Sequence, residues 1–133
     1  MATVQDVIKQ YKPELDLEEP VSAEDAVAHI VENSDLEAAT VEAVFNEVSE
    51  LLYWYLIRGR PVTLPGVGQV RPTIDLDGTI RAALQADESL VARMSEPEAY
   101  RAGIDRRENI GASLRRLGQM WNSTHPNDPV RDL

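Results

Sequence analysis

Residues 41–71, VEAVFNEVSELLYWYLIRGRPVTLPGVGQVR, constrain this chain more than any other stretch. Apolar side chains recur at Val41, Val44, Phe45, Val48, Leu51, Leu52, Tyr55 and Leu56, a spacing that draws one continuous stripe along a helix. Glu42, Asn46, Glu47, Ser49 and Glu50 fall opposite. Burying a large apolar side chain contributes about 1.5–3 kcal/mol against an extended reference, so the stripe as a whole is worth something over about 10 kcal/mol as an upper bound. A helix of this kind requires a partner surface. Gly59 stops it, Pro61 prevents its continuation, and Val62-Thr63-Leu64 reads as a strand triplet closed by the turn Pro65-Gly66-Val67-Gly68.

Beyond Gly68 two alternating runs predict a hairpin. Val70, Pro72 and Ile74 alternate with Gln69, Arg71 and Thr73; Ile80, Ala82 and Leu84 alternate with Thr79, Arg81, Ala83 and Gln85. Opposed residues share a sheet face, so apolar must meet apolar: Ile74 with Ile80, Pro72 with Ala82, Val70 with Leu84. That register leaves the loop Leu76-Asp77-Gly78, with Gly78 in the left-handed position. A two-residue Asp-Gly turn is rejected because it sets Ile74 against Arg81.

A helix, a glycine stop, a short strand, a G-x-G turn and a second strand, preceded by AEDAVAHIVENSDLEAATVEAVFNEV, resembles the HU and integration host factor family of bacterial DNA-bending proteins. The resemblance runs from about Ser22 to Ile74. It implies an α+β fold in which a helical hairpin is followed by a small antiparallel β-sheet and further C-terminal helices, and it implies an intertwined homodimer whose outward sheet face is a saddle laid on DNA. The sharpest departure lies in the hairpin. Family members extend it into long basic arms whose tips wedge an apolar residue into the minor groove, whereas this chain turns back at the short, acidic Asp75-Leu76-Asp77-Gly78. Pro72 lies within the strand and is not that wedge.

The rest of the chain divides around this motif: an N-terminal arm or extra helix over 1–21, the HU-like domain over 22–95, and a helical extension with a turn-rich tail over 96–133. In the first, Val4, Val7, Ile8 and Tyr11 give a weak helical pattern that breaks at Pro13 and Pro20. Ser22 is the expected N-cap of the first hairpin helix, with Asp25 as an imperfect capping box. A helix is expected in DESLVARMSEP. Ser95-x-x-Glu98 around Pro97 reads as a fresh helix start, and Ile110, Leu114, Leu117 and Trp121 continue a helical period.

Charge opposes the resemblance. The 133 residues hold 23 acidic against 13 basic side chains, a net −10. Residues 1–57 contain only Lys9 and Lys12 as cations, and every arginine lies beyond them. A duplex binder relies on cations to displace counterions, so either solubility explains the acidity or the acidic helices face away from bound DNA. There are no cysteines, hence no disulfide, thiolate nucleophile or cysteine zinc site. No apolar run approaches the ~20 residues of a membrane span, and the N-terminal residues lack a signal-peptide core; a cytoplasmic, or if DNA-binding a nucleoid-associated, protein is expected. His29 and His125 have no companions for a metal site, and Asp75 with Asp77 lack the further ligands of a calcium loop. No phosphate loop or nucleophile motif occurs, so no enzyme, cofactor or metal is expected.

The expected function is that of an HU-like dimeric, architectural DNA-binding protein touching the duplex backbone through Arg58, Arg60, Arg71, Thr73 and Arg81. The dimer interface is expected to include Phe45, Leu52, Tyr53, Trp54, Leu56 and Val67. The competing reading is an acidic dimer of the same fold that binds an unidentified protein partner, or serves a structural role, and no DNA; Arg71 and Arg81 are then an ordinary solvated sheet face. Arg106, Arg107, Arg115 and Arg116 are expected to form salt bridges within or between subunits, with a patch for nucleic acid or an acidic partner as the alternative.

Overall fold

The computed structural model describes residues 1–131 and has an α+β architecture. The chain forms two compact units: residues 20–100 make one, and residues 1–19 with the C-terminal segment from 101 onward make the other.

In the 20–100 unit, Ser22 caps α1 of the hairpin (Ala23–Glu32), accepting from Asp25 N at 3.1 Å as its sequence requires. The helix ends where Asn33 Nδ2 and Ser34 Oγ donate to the carbonyls of His29 and Ile30. Next comes α2 (Ala38–Leu56), 19 residues long. Gly59, at φ +74°, turns the chain out of it. Three strands follow, β1 (Val62–Leu64), β2 (Gly68–Ile74) and β3 (Ile80–Ala86), with β2 in the centre. Their register sets Ile74 against Ile80, Pro72 against Ala82 and Val70 against Leu84, as the alternation predicts.

Pro72 can sit in the central strand for a local reason. Asp75 N donates to Thr79 O, so odd-numbered residues of β2 point their N–H groups at β3 and even-numbered ones point away. β1 ends opposite Val70, which leaves the nitrogen of Pro72 beyond the last ladder bond on that side. Gly68 leaves no room for a side chain: a Cβ there would lie 2.2 Å from Gln85 O. The helix α3 (Glu88–Met94) starts at Asp87, whose backbone N–H is tied to Val67 O.

The second unit joins the two ends of the chain. Helix α4 (Val4–Tyr11) opens with a capping box in which Asp6 N donates to Thr3 Oγ1 and Thr3 N donates to Asp6 Oδ2. It packs on α5 (Leu114–Thr124), and their shared core is Ala2, Val7, Leu117, Trp121 and Val130. Two-residue strands β4 (Glu14–Leu15) and β5 (Ile104–Asp105) pair antiparallel beside it. The buried Asn109 donates to Tyr11 O at 2.7 Å, and Tyr11 Oη meets Thr124 Oγ1.

Two expectations for this region are corrected. No helix opens at Ser95: Ala99 N bonds back to Glu96 O and Glu98 takes a left-handed φ of 63°, so the segment is a turn. The period from Ile110 to Trp121 is helical only from Leu114, because the chain before it is drawn into β5, and Arg106 and Gly111 adopt left-handed conformations. Ile110 is consequently exposed.

Candidate nucleic-acid interface

The hairpin register sorts the sheet into two faces. Val62, Val70, Leu84, Pro72, Ala82, Ile74 and Ile80 share one, and Pro72, Ile80 and Ala82 line a cleft with Tyr53, Leu56 and Ile57 of α2 and its C-terminal end. Thr63, Gln69, Gln85, Arg71, Ala83, Thr73 and Arg81 share the other. Every residue of this polar face is uncharged or an arginine, and Asp75 and Asp87 bound it at the two ends of the hairpin.

Its arginines are held by neighbours. Arg71 donates through Nη2 to the Gln69 side chain, two positions along the same strand face. Arg81 Nε forms a salt bridge with Asp75, and Thr73 Oγ1 reaches Arg81 O at 3.5 Å. Arg58 and Arg60 stand apart from the strands, in the connection from α2 to β1. The Arg58 guanidinium lies 3.8 Å over the Trp54 ring and donates to Trp54 O at 2.7 Å, capping a helix-end carbonyl; that of Arg60 lies 5.1 Å over Tyr55. The expected DNA-contact residues thus fall in two places, Arg71, Thr73 and Arg81 on the sheet face and Arg58 and Arg60 at the end of α2.

Electrostatics follow the elements. Residues 20–50 carry carboxylates and no lysine or arginine, whereas residues 51–74 carry three arginines and no carboxylate. The acidic hairpin tip stays ionised: the backbone N–H of Thr79, donating to Asp77 Oδ1 at 2.9 Å, holds the Asp77 carboxyl below the usual aspartate range. Asp87 is lowered likewise by the Ser89 hydroxyl.

The residues expected at a dimer interface are largely open to solvent in the single chain. Tyr53 is 66 % exposed, Trp54 51 % and Phe45 47 %, and Val67 is exposed, while Leu52 and Leu56 are half-buried. Val41 is the one buried large apolar residue of the 20–100 unit among the described residues. Phe45 with Ala23, Ala26 and Val27 opens a groove of about 530 Å³ between α1 and α2, and Val44, Val48 and Leu51 line a second depression along α2. Ile74, Ile80 and Leu84 extend the apolar surface across the sheet.

Among the described residues no group of histidine, cysteine and carboxylate side chains is placed to hold a metal, and no helix is long and apolar enough to cross a membrane. No protein-family model, curated protein or solved structure matches this chain.

Proposed function

We propose that the chain is an HU-like homodimeric DNA-binding protein of the architectural, nucleoid-associated kind, which contacts the duplex backbone through the polar face of its sheet. The observation that carries this reading is the segregation of charge over residues 20–74, where Arg58, Arg60 and Arg71 lie on the sheet and the connection into it while every carboxylate lies in the helical hairpin of residues 20–50; Arg81 joins these arginines from β3. Dimerisation covers the apolar flanks of α2 and the sheet underside, and the two polar faces then form one surface. With no base-reading element and no long arm, recognition is of phosphate and is indifferent to sequence. The acidic helices keep the affinity low, in the micromolar range expected of non-specific binding.

The test is fluorescence anisotropy of a short labelled duplex at rising salt. Affinity should fall linearly on a logarithmic plot, with a slope of about −0.9 per phosphate neutralised, and Arg71→Glu with Arg81→Glu should remove most of it. Duplex affinity unchanged in that double variant contradicts the sheet face as the contact.

A second reading, a dimer that engages a protein partner and no DNA, is favoured by one specific contact, the Arg81–Asp75 salt bridge that neutralises half of the strand arginines. It requires that the wild-type dimer ignore the duplex even at low salt.

A further inference from the structure

The C-terminal segment carries a second cluster of arginines that the sheet face does not use. Arg107, on the stretch that leads into α5, and Arg115 and Arg116, in its first turn, are exposed. Bonded turns keep this stretch compact: Ile110 N donates to Arg107 O at 3.1 Å, Ala112 N to Asn109 O at 3.0 Å, and Arg116 N to Ser113 Oγ at 3.1 Å. Of the salt bridges expected here, the one formed within the chain among the described residues is at Arg106, which pairs with Glu14 at 3.2 Å and donates to Lys12 O. Among the described residues Arg107, Arg115 and Arg116 have no carboxylate partner. Asp105 and Glu108 are the acids nearest in sequence, and residues 109–127 contain none.

The placement also works against helix stability. Arg115 and Arg116 occupy the first turn of α5, where the backbone already presents partial positive charge and where a carboxylate is the stabilising residue; α5 has no acid there. Departures from local preference of this sort mark surfaces selected for something other than stability. An anion lying against the turn relieves the repulsion among the two guanidiniums and the helix end.

We propose that Arg107, Arg115 and Arg116, on the unit built from the chain ends, form a second, sequence-indifferent contact for DNA backbone phosphate. The inference rests on the DNA-binding reading above but not on the sheet face as its site. Arginine, planar and multiply donating, suits a row of phosphate oxygens.

The experiment compares three full-length proteins on the same labelled duplex across a salt series: wild type, Arg107→Gln/Arg115→Gln/Arg116→Gln, and Arg71→Glu/Arg81→Glu. Glutamine keeps helix propensity, so Trp121 fluorescence on heating should show a midpoint equal to or above that of wild type. The expected result for the glutamine variant is at least about tenfold weaker binding at low salt and a slope shallower by about 0.9 for each phosphate that is no longer neutralised. If that happens while the sheet variant binds like wild type, the second contact stands and the sheet-face site fails. An unchanged slope in the glutamine variant overturns the inference while leaving the sheet face intact. Unchanged duplex binding with a loss of oligomer mass assigns the arginines to acidic surfaces of another copy and overturns it too, as does a wild-type protein that binds no duplex at low salt.

Discussion

Trp121 concentrates several interactions of the terminal unit in one side chain. It is buried, stacks on the His125 ring at 3.8 Å with an interplanar angle of 7°, and donates from Nε1 to Asp128 O at 2.7 Å. Trp121→Ala removes that packing and is expected to destabilise the unit by about 3–5 kcal/mol. The sequence has two tryptophans, one in each unit. Trp54 therefore still reports on the 20–100 unit in that variant, and fluorescence-monitored denaturation should show its transition separately. Gly68→Ala places a methyl group against the Gln85 backbone oxygen at a positive φ of 152°. The resulting destabilisation should exceed about 1 kcal/mol and fall on the Trp54 transition. Asp6 gives the pH dependence. Its carboxyl is held below the usual 3.8 chiefly by the Thr3 backbone N–H and then by the Thr3 hydroxyl. A lowered folded-state value contributes stability that is complete above the ordinary value and is lost as pH falls through the folded one. The Trp121 transition should therefore weaken below about pH 4, and Asp6→Asn should blunt that acid dependence.

Among the elements, those governed by short-range pattern were legible in the sequence. The stripe on α2, the Ser22 cap and the Gly59 stop each follow from local chemistry, and the strand register follows from demanding that apolar residues oppose one another. The two helices of the terminal unit were legible too, but their assembly was not, because its contacts join residues as far apart as Tyr11 and Thr124, and strands of two residues carry no alternation to detect. The false helix start at Ser95 has the right cap residues but no apolar period behind it before Leu114. Of the candidate site, residue identity and strand face were readable; the Asp75 partner of Arg81 and the aromatic stacking of Arg58 and Arg60 depend on side-chain placement that spacing does not encode. At this scale Phe45→Asp is the informative substitution. It puts a charge in the groove beside α1, and on the dimer reading it should weaken self-association at least about a hundredfold, in the range of an interface hot spot. Sedimentation velocity across a dilution series measures it.

On the scale of the whole molecule, the 20–100 unit is the part that looks unfinished. Its hairpin helix buries Val41 and leaves Phe45, Leu51, Tyr53 and Trp54 exposed, together with Ile80 and Leu84 of the sheet. Large apolar side chains exposed in such number on one unit mark an interaction site. On the proposed reading a second copy, self-complementary by symmetry, would supply the missing half of the core. The DNA reading depends on that assembly, since one protomer offers only two strand arginines, one of them already paired. The decisive measurement is the solution mass of the full chain by light scattering at low micromolar concentration, taken with the Trp54-reported unfolding midpoint over a dilution series. A homodimer requires twice the mass of one chain and a midpoint that rises with concentration. The mass of a single chain, with a midpoint independent of concentration, contradicts it.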